Sequence, residues 1–387
     1  MRLLYLVSSP DISGVTATIK LLALGMRKRG HAVELAHYED DAGIAPELRR
    51  AGIPVHRIAA PPRRFGPLRT RWIVRQAERL VGRLAPDIIH AQSFDADLIA
   101  CRAARGRDIP VVATLQSFSY VDWAREHPGL YEKYGGPLQR LIVISALLGR
   151  QAAQVPALKG KPLDIVFNVP QERFFDPVTP EERAAGRQSL GLADDVRAVV
   201  CVANFHPIKG HEILAQAFAQ LAVRRGDVHL ILVGSAGNDA GCQAFKRQVE
   251  RILAQELSSA RARIIGDAAD SRPFLAAADV YVQPSHMEAL GVAITEAMAC
   301  GLPVLGTDVG GIPELVSEAT GLLVPPADPC GMADAIERLA DDPGLRRRLG
   351  DGGKAFACRF LTESFMLDEH ERIYAQCLAG RGAILPS

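Results

Sequence analysis

The stretch Ala198-Val-Val-Cys-Val-Ala-Asn-Phe-His-Pro-Ile-Lys-Gly-His-Glu-Ile-Leu214 reads as a buried strand, a loop and the start of a helix. Ala198–Ala203 is an unbroken apolar run rich in valine, the pattern of a strand covered on both faces. From Ile213 to Arg225, Leu214, Phe218 and Leu221 recur at helical spacing and mark one buried face. A strand that hands over to an amphipathic helix is the building unit of a parallel α/β sheet. The chain opens with the same unit. Leu3–Val7 is strand, Ser8–Gly14 loop, and Val15–Arg29 a helix stopped by Gly30, before a strand at Ala32–Ala36.

Working outward, Asp87–Ala91, Pro110–Thr114, Leu141–Ser145 and Asp164–Asn168 are further strands, with helical patterns between them. Residues 170–195 change character: Pro170, Pro177 and Pro180 read as a linker leading into a short helix. The alternation then restarts at Ala198 and continues through Val228–Val233, a helix at Phe245–Leu257, Arg263–Ile265, Val280–Gln283 and Pro303–Gly306. The expected architecture is α/β, two Rossmann-like domains in tandem. Residues 1–172 form the first and 173–360 the second, and 361–387 carry a C-terminal helix. That helix, about Leu361–Leu378, offers Phe365, Ile373 and Tyr374 for packing back onto the first domain.

Composition narrows the class. Of 387 residues, 48% are hydrophobic and 23% charged, the balance of a soluble globular protein. No run approaches the roughly 20 apolar residues that span a bilayer, and Leu3–Val7 is too short for a signal peptide. Seven scattered cysteines without a C-x-x-C spacing are expected to be reduced, mostly buried thiols in a cytoplasmic protein, not zinc ligands. The net charge of +1 hides an asymmetry: residues 1–170 hold 24 Lys/Arg against 15 Asp/Glu, and the remainder is acidic. Opposite charges fit different partners for the two halves, or simply two surface compositions.

Doubly wound sheets bind ligands at the carboxyl ends of their strands, so a cleft between two such units is the expected site. In His286-Met-Glu-Ala-Leu-Gly-Val-Ala-Ile-Thr-Glu-Ala-Met-Ala-Cys-Gly301, Gly291 marks where a loop becomes a short helix stopped by Gly301. Glu288 then precedes the helix N-terminus, which attracts anions, and Glu296 lies near its first turns. Carboxylates beside such a terminus suit hydroxyls attached to a bound phosphate. Lys209 before Gly210 is suited to a diphosphate, or is a solvated lysine at a helix start. Gly234-Ser-Ala-Gly-Asn-Asp239 allows close ligand approach but lacks the G-x-G-x-x-G spacing of a redox dinucleotide site. Gly310-Gly311 touches a phosphate or is a tight turn. In the first domain, Ser13-Gly14 and Gln116 stand at strand ends facing the expected cleft, although a lone glutamine there is more often structural.

Together, Glu288-x7-Glu296, Lys209-Gly210, Ala297-Met-Ala-Cys-Gly-Leu-Pro-Val304, Gly310-Gly-Ile-Pro-Glu314, Pro86-Asp-Ile-Ile-His-Ala91 and Ala277-Ala-Asp-Val-Tyr-Val-Gln-Pro-Ser285 resemble the retaining glycosyltransferases of family 4. Each motif alone is weak, whereas their order along the chain is specific. The resemblance implies a GT-B architecture, two Rossmann-like domains facing each other across a cleft, with the donor held mainly by the second. It implies that Glu288 contacts the donor sugar and Glu296 the ribose, and that Lys209 holds the diphosphate with help from the Gly14 amide. The amides of Ala289, Leu290, Gly291 and Val292 would face sugar and phosphate. The implied reaction is retaining, metal-independent transfer of a hexose from a nucleotide sugar (a UDP-sugar first, GDP-mannose next) to a hydroxyl acceptor, in surface-glycan or glycolipid synthesis, with no cofactor. The leaving diphosphate takes the acceptor's proton.

Three positions depart from that family. Asn204-Phe205 replaces Arg-Leu, Gln116 replaces a histidine, and Asn168-Val-Pro-Gln171 replaces Asn-Gly-Val-Asp. Asn204 and Gln116 motivate the alternative of a non-catalytic nucleotide-sugar binder. An NDP-sugar epimerase on the same scaffold is the other alternative, and its relatives lack this order of motifs. Acceptor contacts are expected from a first-domain loop, Phe118–Tyr134, through Phe118, Tyr120, Trp123, Tyr131 and Tyr134. Finally, Arg63, Arg64, Arg69, Arg71, Arg75, Arg79 and Arg83 crowd one segment against a single acid, Glu78. Such a helix suits peripheral docking at the inner face of an anionic membrane, or a solvated outer face. Nothing there resembles an aromatic-lined nucleic-acid groove.

Overall fold

The structure is a computed structural model, and it describes residues 1–9, 14–39, 43–92, 95–256 and 261–379. The chain divides into two compact units: Met1–Asn168 together with Glu363–Ser387, and Val169–Thr362. The division falls four residues before the expected boundary at 172, because Glu172–Phe175 forms a 3-10 turn that packs on the helix Val292–Ala299 of the second unit, with Phe174 buried.

The first unit is built on seven parallel strands: β1 (Arg2–Val7), β2 (Ala32–His37), β3 (Val55–Arg57), β4 (Ile88–Ala91), β5 (Val111–Leu115), β6 (Leu138–Val143) and β7 (Leu163–Ile165). Their order is β3-β2-β1-β4-β5-β6-β7, so the direction of winding reverses between β1 and β4. The apolar runs are central strands, buried throughout in β4 and β5. The short edge strand β3 carries no fully buried side chain and has no apolar alternation, which is why it does not stand out in the sequence.

The C-terminal helix Glu363–Ala379 belongs to this unit, where it packs on the helix Gly14–Lys28 and on β6. Met366, Leu367, Ile373, Tyr374 and Cys377 form its buried face. Polar pairs fix its register: Arg29 and His31 both reach Glu371, at 2.7 and 2.6 Å, and Arg372 reaches Asp164 at 3.0 Å.

The second unit holds six parallel strands: β8 (Arg197–Val202), β9 (Val228–Val233), β10 (Ala262–Ile265), β11 (Val280–Gln283), β12 (Val304–Thr307) and β13 (Gly321–Val324). Their order, β10-β9-β8-β11-β12-β13, reverses between β8 and β11. The helix His211–Arg224 buries Leu214, Phe218 and Leu221 completely, against the sheet and the helix Pro329–Asp341. Each such side chain contributes roughly 1.5–3 kcal/mol. Arg183 and Arg187, from the helix Pro180–Ser189, converge on Asp279 at 2.8 and 3.4 Å and fasten the linker to the start of β11.

All seven cysteines are free thiols. Only Cys101, Cys201 and Cys377 are buried, fewer than expected, and Cys330 and Cys358 are exposed on helical surfaces. No described helix is long and apolar enough to cross a membrane.

Candidate active site

Winding reversals open a crevice at the carboxyl ends of the flanking strands. In the second unit those strands are β8 and β11, and their loops carry Lys209 and Glu288. Lys209 Nζ lies 2.6 Å from Glu288 Oε2, with the lysine side chain 25% exposed and the glutamate 11%.

The two loops are stitched together. The amide of His286 donates to Ile208 O at 2.8 Å, and the His286 ring meets Glu212 at 2.6 Å. Gly210, in the left-handed region at φ 66°, lies so close to the β11 loop that a Cβ would sit 2.0 Å from Pro284 O. Phe205 is fully buried and stacks on His211 with ring centroids 4.4 Å apart. An aromatic residue beside Asn204 therefore serves the packing of this loop, while Asn204 itself is exposed.

Glu288 is fixed from within and from a third loop. Tyr281 donates to Gln283 Oε1 (2.6 Å), Gln283 Nε2 to Ser285 Oγ (2.9 Å), and Ser285 Oγ to Glu288 Oε2 (3.3 Å). Thr307 Oγ1 donates to Ser285 O at 2.6 Å. The glycine pair after β12 packs on the same backbone: the Gly311 amide donates to Glu288 O at 3.0 Å. At Gly310, with φ 62°, a Cβ would lie 1.7 Å from that carbonyl. Gly310-Gly311 is a tight turn that seats Glu288.

Ala289, Leu290 and Gly291 lead into the helix Val292–Ala299, and Leu290 is buried. Gly291 is the N-cap and supplies no side-chain bond to the amides that follow. The first amides of a helix lack intrahelical partners and carry a partial positive charge. A lysine and an open helix terminus thus stand beside one carboxylate. The arrangement can hold an anion and hydrogen-bond a neighbouring hydroxyl.

Glu296 lies within the same helix and accepts from Ser271 Oγ at 2.7 Å. Burial raises its carboxyl above the ordinary glutamate range, against the lowering effect of the Ser271 bond. Gly234 follows β9, and a Cβ there would lie 2.0 Å from Ala203 O. Among the described residues, no group of three or more His, Cys, Asp or Glu side chains could hold a metal ion.

In the first unit, Gly14 is the first residue of the helix Gly14–Lys28, and Ser13 lies outside the described residues. Gln116 follows β5 and is half-buried. It donates to Gln92 (3.1 Å) and accepts from Asn168 (2.9 Å). Sequence reading did not anticipate these partners, nor Ser285 and Ser271, because each contact joins residues of unremarkable type whose proximity the fold creates.

The segment Phe118–Tyr134 is not a loop but two helices, Phe118–Glu126 and Pro128–Tyr134. Tyr120 and Tyr131 are buried and both donate to Asp97, the latter at 2.7 Å, so they are core residues and not acceptor contacts. Burial pushes the Asp97 carboxyl up to about 7.

The basic segment is the helix Gly66–Leu84, with Ile73, Val74, Ala77, Leu80 and Val81 buried. Arg71, Arg75, Arg79 and Arg83 are exposed along it. Arg69 is not part of that surface: it donates to Pro61 O at 2.9 Å and pairs with Glu39 at 2.7 Å. Nothing is described of the Arg63 side chain. Phe65, Leu68 and Trp72 are exposed near the arginines, at 45, 63 and 48%.

Sequence and structure comparisons bear on this geometry. The family described as "Glycosyl transferases group 1" matches residues 196–342, and "Glycosyl transferase 4-like domain" matches 13–159. A D-inositol 3-phosphate glycosyltransferase of Xylanimonas cellulosilytica is 31% identical over 318 residues, 77% of this chain and 73% of its own. A GDP-mannose-dependent monoacylated alpha-(1-6)-phosphatidylinositol monomannoside mannosyltransferase of Corynebacterium glutamicum is 34% identical over 190 residues. That match covers 47% of this chain and spans about half, 48%, of the relative. Among solved structures, Anabaena HepE in complex with UDP and glucose superposes with a TM-score of 0.82 at 22% identity, covering 97% of this chain and 99% of HepE.

Proposed function

This chain belongs to the group 1 glycosyltransferases and has their GT-B fold, and on that premise we propose that it is a retaining hexosyltransferase. It takes the sugar from a nucleotide-sugar donor and passes it to a hydroxyl acceptor in surface-glycan or glycolipid synthesis. UDP-sugars are the first donors to test and GDP-mannose the next. HepE was solved with UDP and glucose, and the Corynebacterium relative is named for GDP-mannose.

The observation that carries the proposal is the Lys209–Glu288 pair beside the open terminus at Val292. In the proposed mechanism the diphosphate settles between the Lys209 ammonium and the amides of Ala289–Val292, and Glu288 turns to the sugar hydroxyls. Glu296 reads the ribose. As the glycosidic bond breaks, negative charge grows on the diphosphate, and preorganised donors stabilise that charge more than the ground state. The departing oxygen accepts the acceptor's proton, so no side chain has to titrate and Gln116 can replace a histidine. Asn204 offers a neutral donor where relatives of the family place an arginine. The reaction proceeds with retention and without a divalent metal.

A donor panel resolves the proposal: thermal shift with UDP-, GDP-, ADP- and TDP-sugars, followed by donor hydrolysis with and without EDTA. NMR of the product anomer then reads the stereochemistry. Binding of a donor with no turnover across an acceptor panel would favour a nucleotide-sugar binder instead.

A further inference from the structure

We infer that the cavity between β3 and the helix Gly66–Leu84 is a phosphate-binding site, separate from the proposed donor site, for a ligand that carries two or more negative charges.

The cavity measures about 640 Å³, within the range of small-molecule sites. Residues 55–59 form one wall, and Gln76, Arg79, Leu80 and Arg83 the other. β3 is the edge of its sheet, so among the described residues no further strand covers this flank. Ile58 and Leu80 are buried and supply the apolar part of the lining, whereas Arg57, Arg79 and Arg83 are exposed. Among the described residues, none of these three arginines has a hydrogen-bond or ion-pair partner. No Asp or Glu lines the cavity. Glu34 holds His56 Nε2 at 2.5 Å and Glu39 holds Arg69 at 2.7 Å, so these carboxylates are already engaged.

Three guanidiniums without a carboxylate give the walls a charge of +3. The C-terminus of the helix, where Arg83 stands in the last turn, offsets only about half a unit of it. Arg79 and Arg83, four residues apart on the helix, repel each other, and a shared anion relieves that cost. Each guanidinium presents a planar fork of donors that matches phosphoryl oxygens, and the Gln76 amide can add a neutral donor. The charge favours a diphosphate or bisphosphate over a single carboxylate. Guarding an edge strand against pairing explains an arginine at position 57. It does not explain Arg79 and Arg83, which reach the same cavity from a helix.

The helix returns the chain from the end of β3 to the start of β4, so residues 76–83 lie toward the amino ends of the strands. Substrates of doubly wound sheets sit at the carboxyl ends. The cavity is therefore a second site and no part of that crevice.

Isothermal titration with pyrophosphate is the first test, made in Lys209→Ala so that the proposed donor site does not compete. Pyrophosphate should bind, and its Kd should rise at least about tenfold for each of Arg57→Ala and Arg83→Ala. Arg75→Ala removes the same charge from the same helix outside the cavity and should change Kd by less than about twofold. Flotation with phosphatidylcholine vesicles containing phosphatidic acid identifies the source of the phosphate. Vesicle binding that falls in Arg57→Ala/Arg83→Ala and is competed by pyrophosphate supports a lipid headgroup. Vesicle binding indifferent to that pair, with pyrophosphate binding dependent on it, supports a free phosphorylated ligand. Equal weakening by Arg75→Ala, or no binding of either probe that depends on Arg57 and Arg83, would overturn the site. Both side chains are exposed, so an unchanged Tm separates lost binding from lost folding. The outcome does not depend on whether Lys209 holds a donor.

Discussion

Lys209 Nζ and Glu288 Oε2 stand 2.6 Å apart, although 79 residues separate them in the chain. The two groups proposed to grip different parts of a donor are each other's partner before one arrives. In the proposed mechanism donor binding exchanges one ion pair for another: the diphosphate takes the lysine, and the freed carboxylate takes a hydroxyl. The pair pre-positions both groups and keeps a nearly buried carboxylate neutralised meanwhile.

Lys209→Ala is expected to lower kcat at least about 100-fold, the scale for removing one preorganised charge-stabilising donor, and Glu288→Ala to lower it too by removing the acceptor proposed for the sugar hydroxyls. Circular dichroism should show both variants folded. Donor hydrolysis at wild-type rates in either one would remove that residue from the mechanism.

Gly310→Ala is expected to disable transfer although it replaces no side chain proposed to touch the donor. Its Cβ would meet Glu288 O at 1.7 Å, and φ 62° is disfavoured for alanine, so the turn must shift and carry Glu288 with it. A thermal melt together with donor affinity reads both effects; unchanged donor affinity would contradict the seating role.

Asp97 makes stability depend on pH. Its carboxyl is raised from 3.8 to about 7 by burial, against the bonds from Tyr120 and Tyr131. Between these values the folded state holds a proton that the unfolded chain has released. The contribution is therefore complete below pH 4 and is lost as pH rises toward 7. The Tm difference between wild type and Asp97→Asn should shrink from pH 5 to pH 8. A constant difference would show that Asp97 is charged throughout.

Peripheral membrane docking is proposed for the exposed stripe Arg71, Arg75 and Arg79 with Phe65, Leu68 and Trp72 beside it. Cosedimentation with phosphatidylserine vesicles should weaken by about 1 kcal/mol for each arginine replaced by alanine, and fall with added salt. Arg69→Ala should instead act on stability, since that side chain is spent on Glu39. Equal sedimentation of wild type and triple variant would leave the stripe as a solvated face.

The long buried strands were legible because central parallel strands must be apolar on both faces, and β9 and β11 match their expected limits. β3 was not, because an edge strand with a half-wet surface has no such signature. Phe118–Tyr134 looked like a loop because its aromatics suggest a binding surface. Only Asp97, remote in sequence, shows that two of them point inward. At the site, Glu288, Lys209 and the Gly291 cap could be read one at a time. Their pairing could not, since it depends on β8 and β11 being neighbours, a fact of topology that no local pattern encodes.

The C-terminal helix has a consequence for how the protein is made. Tyr5 on the first strand meets Tyr374, 369 residues later, inside the same unit. A ribosome adding roughly 5–20 residues per second takes on the order of 20–70 s to cover that interval. Throughout it the nascent first unit lacks a wall, with Gly25 and Tyr5 awaiting Leu367 and Tyr374, while the entire second unit is synthesised and free to fold. Of the two units, the one that holds the earlier strands is completed only by the later helix.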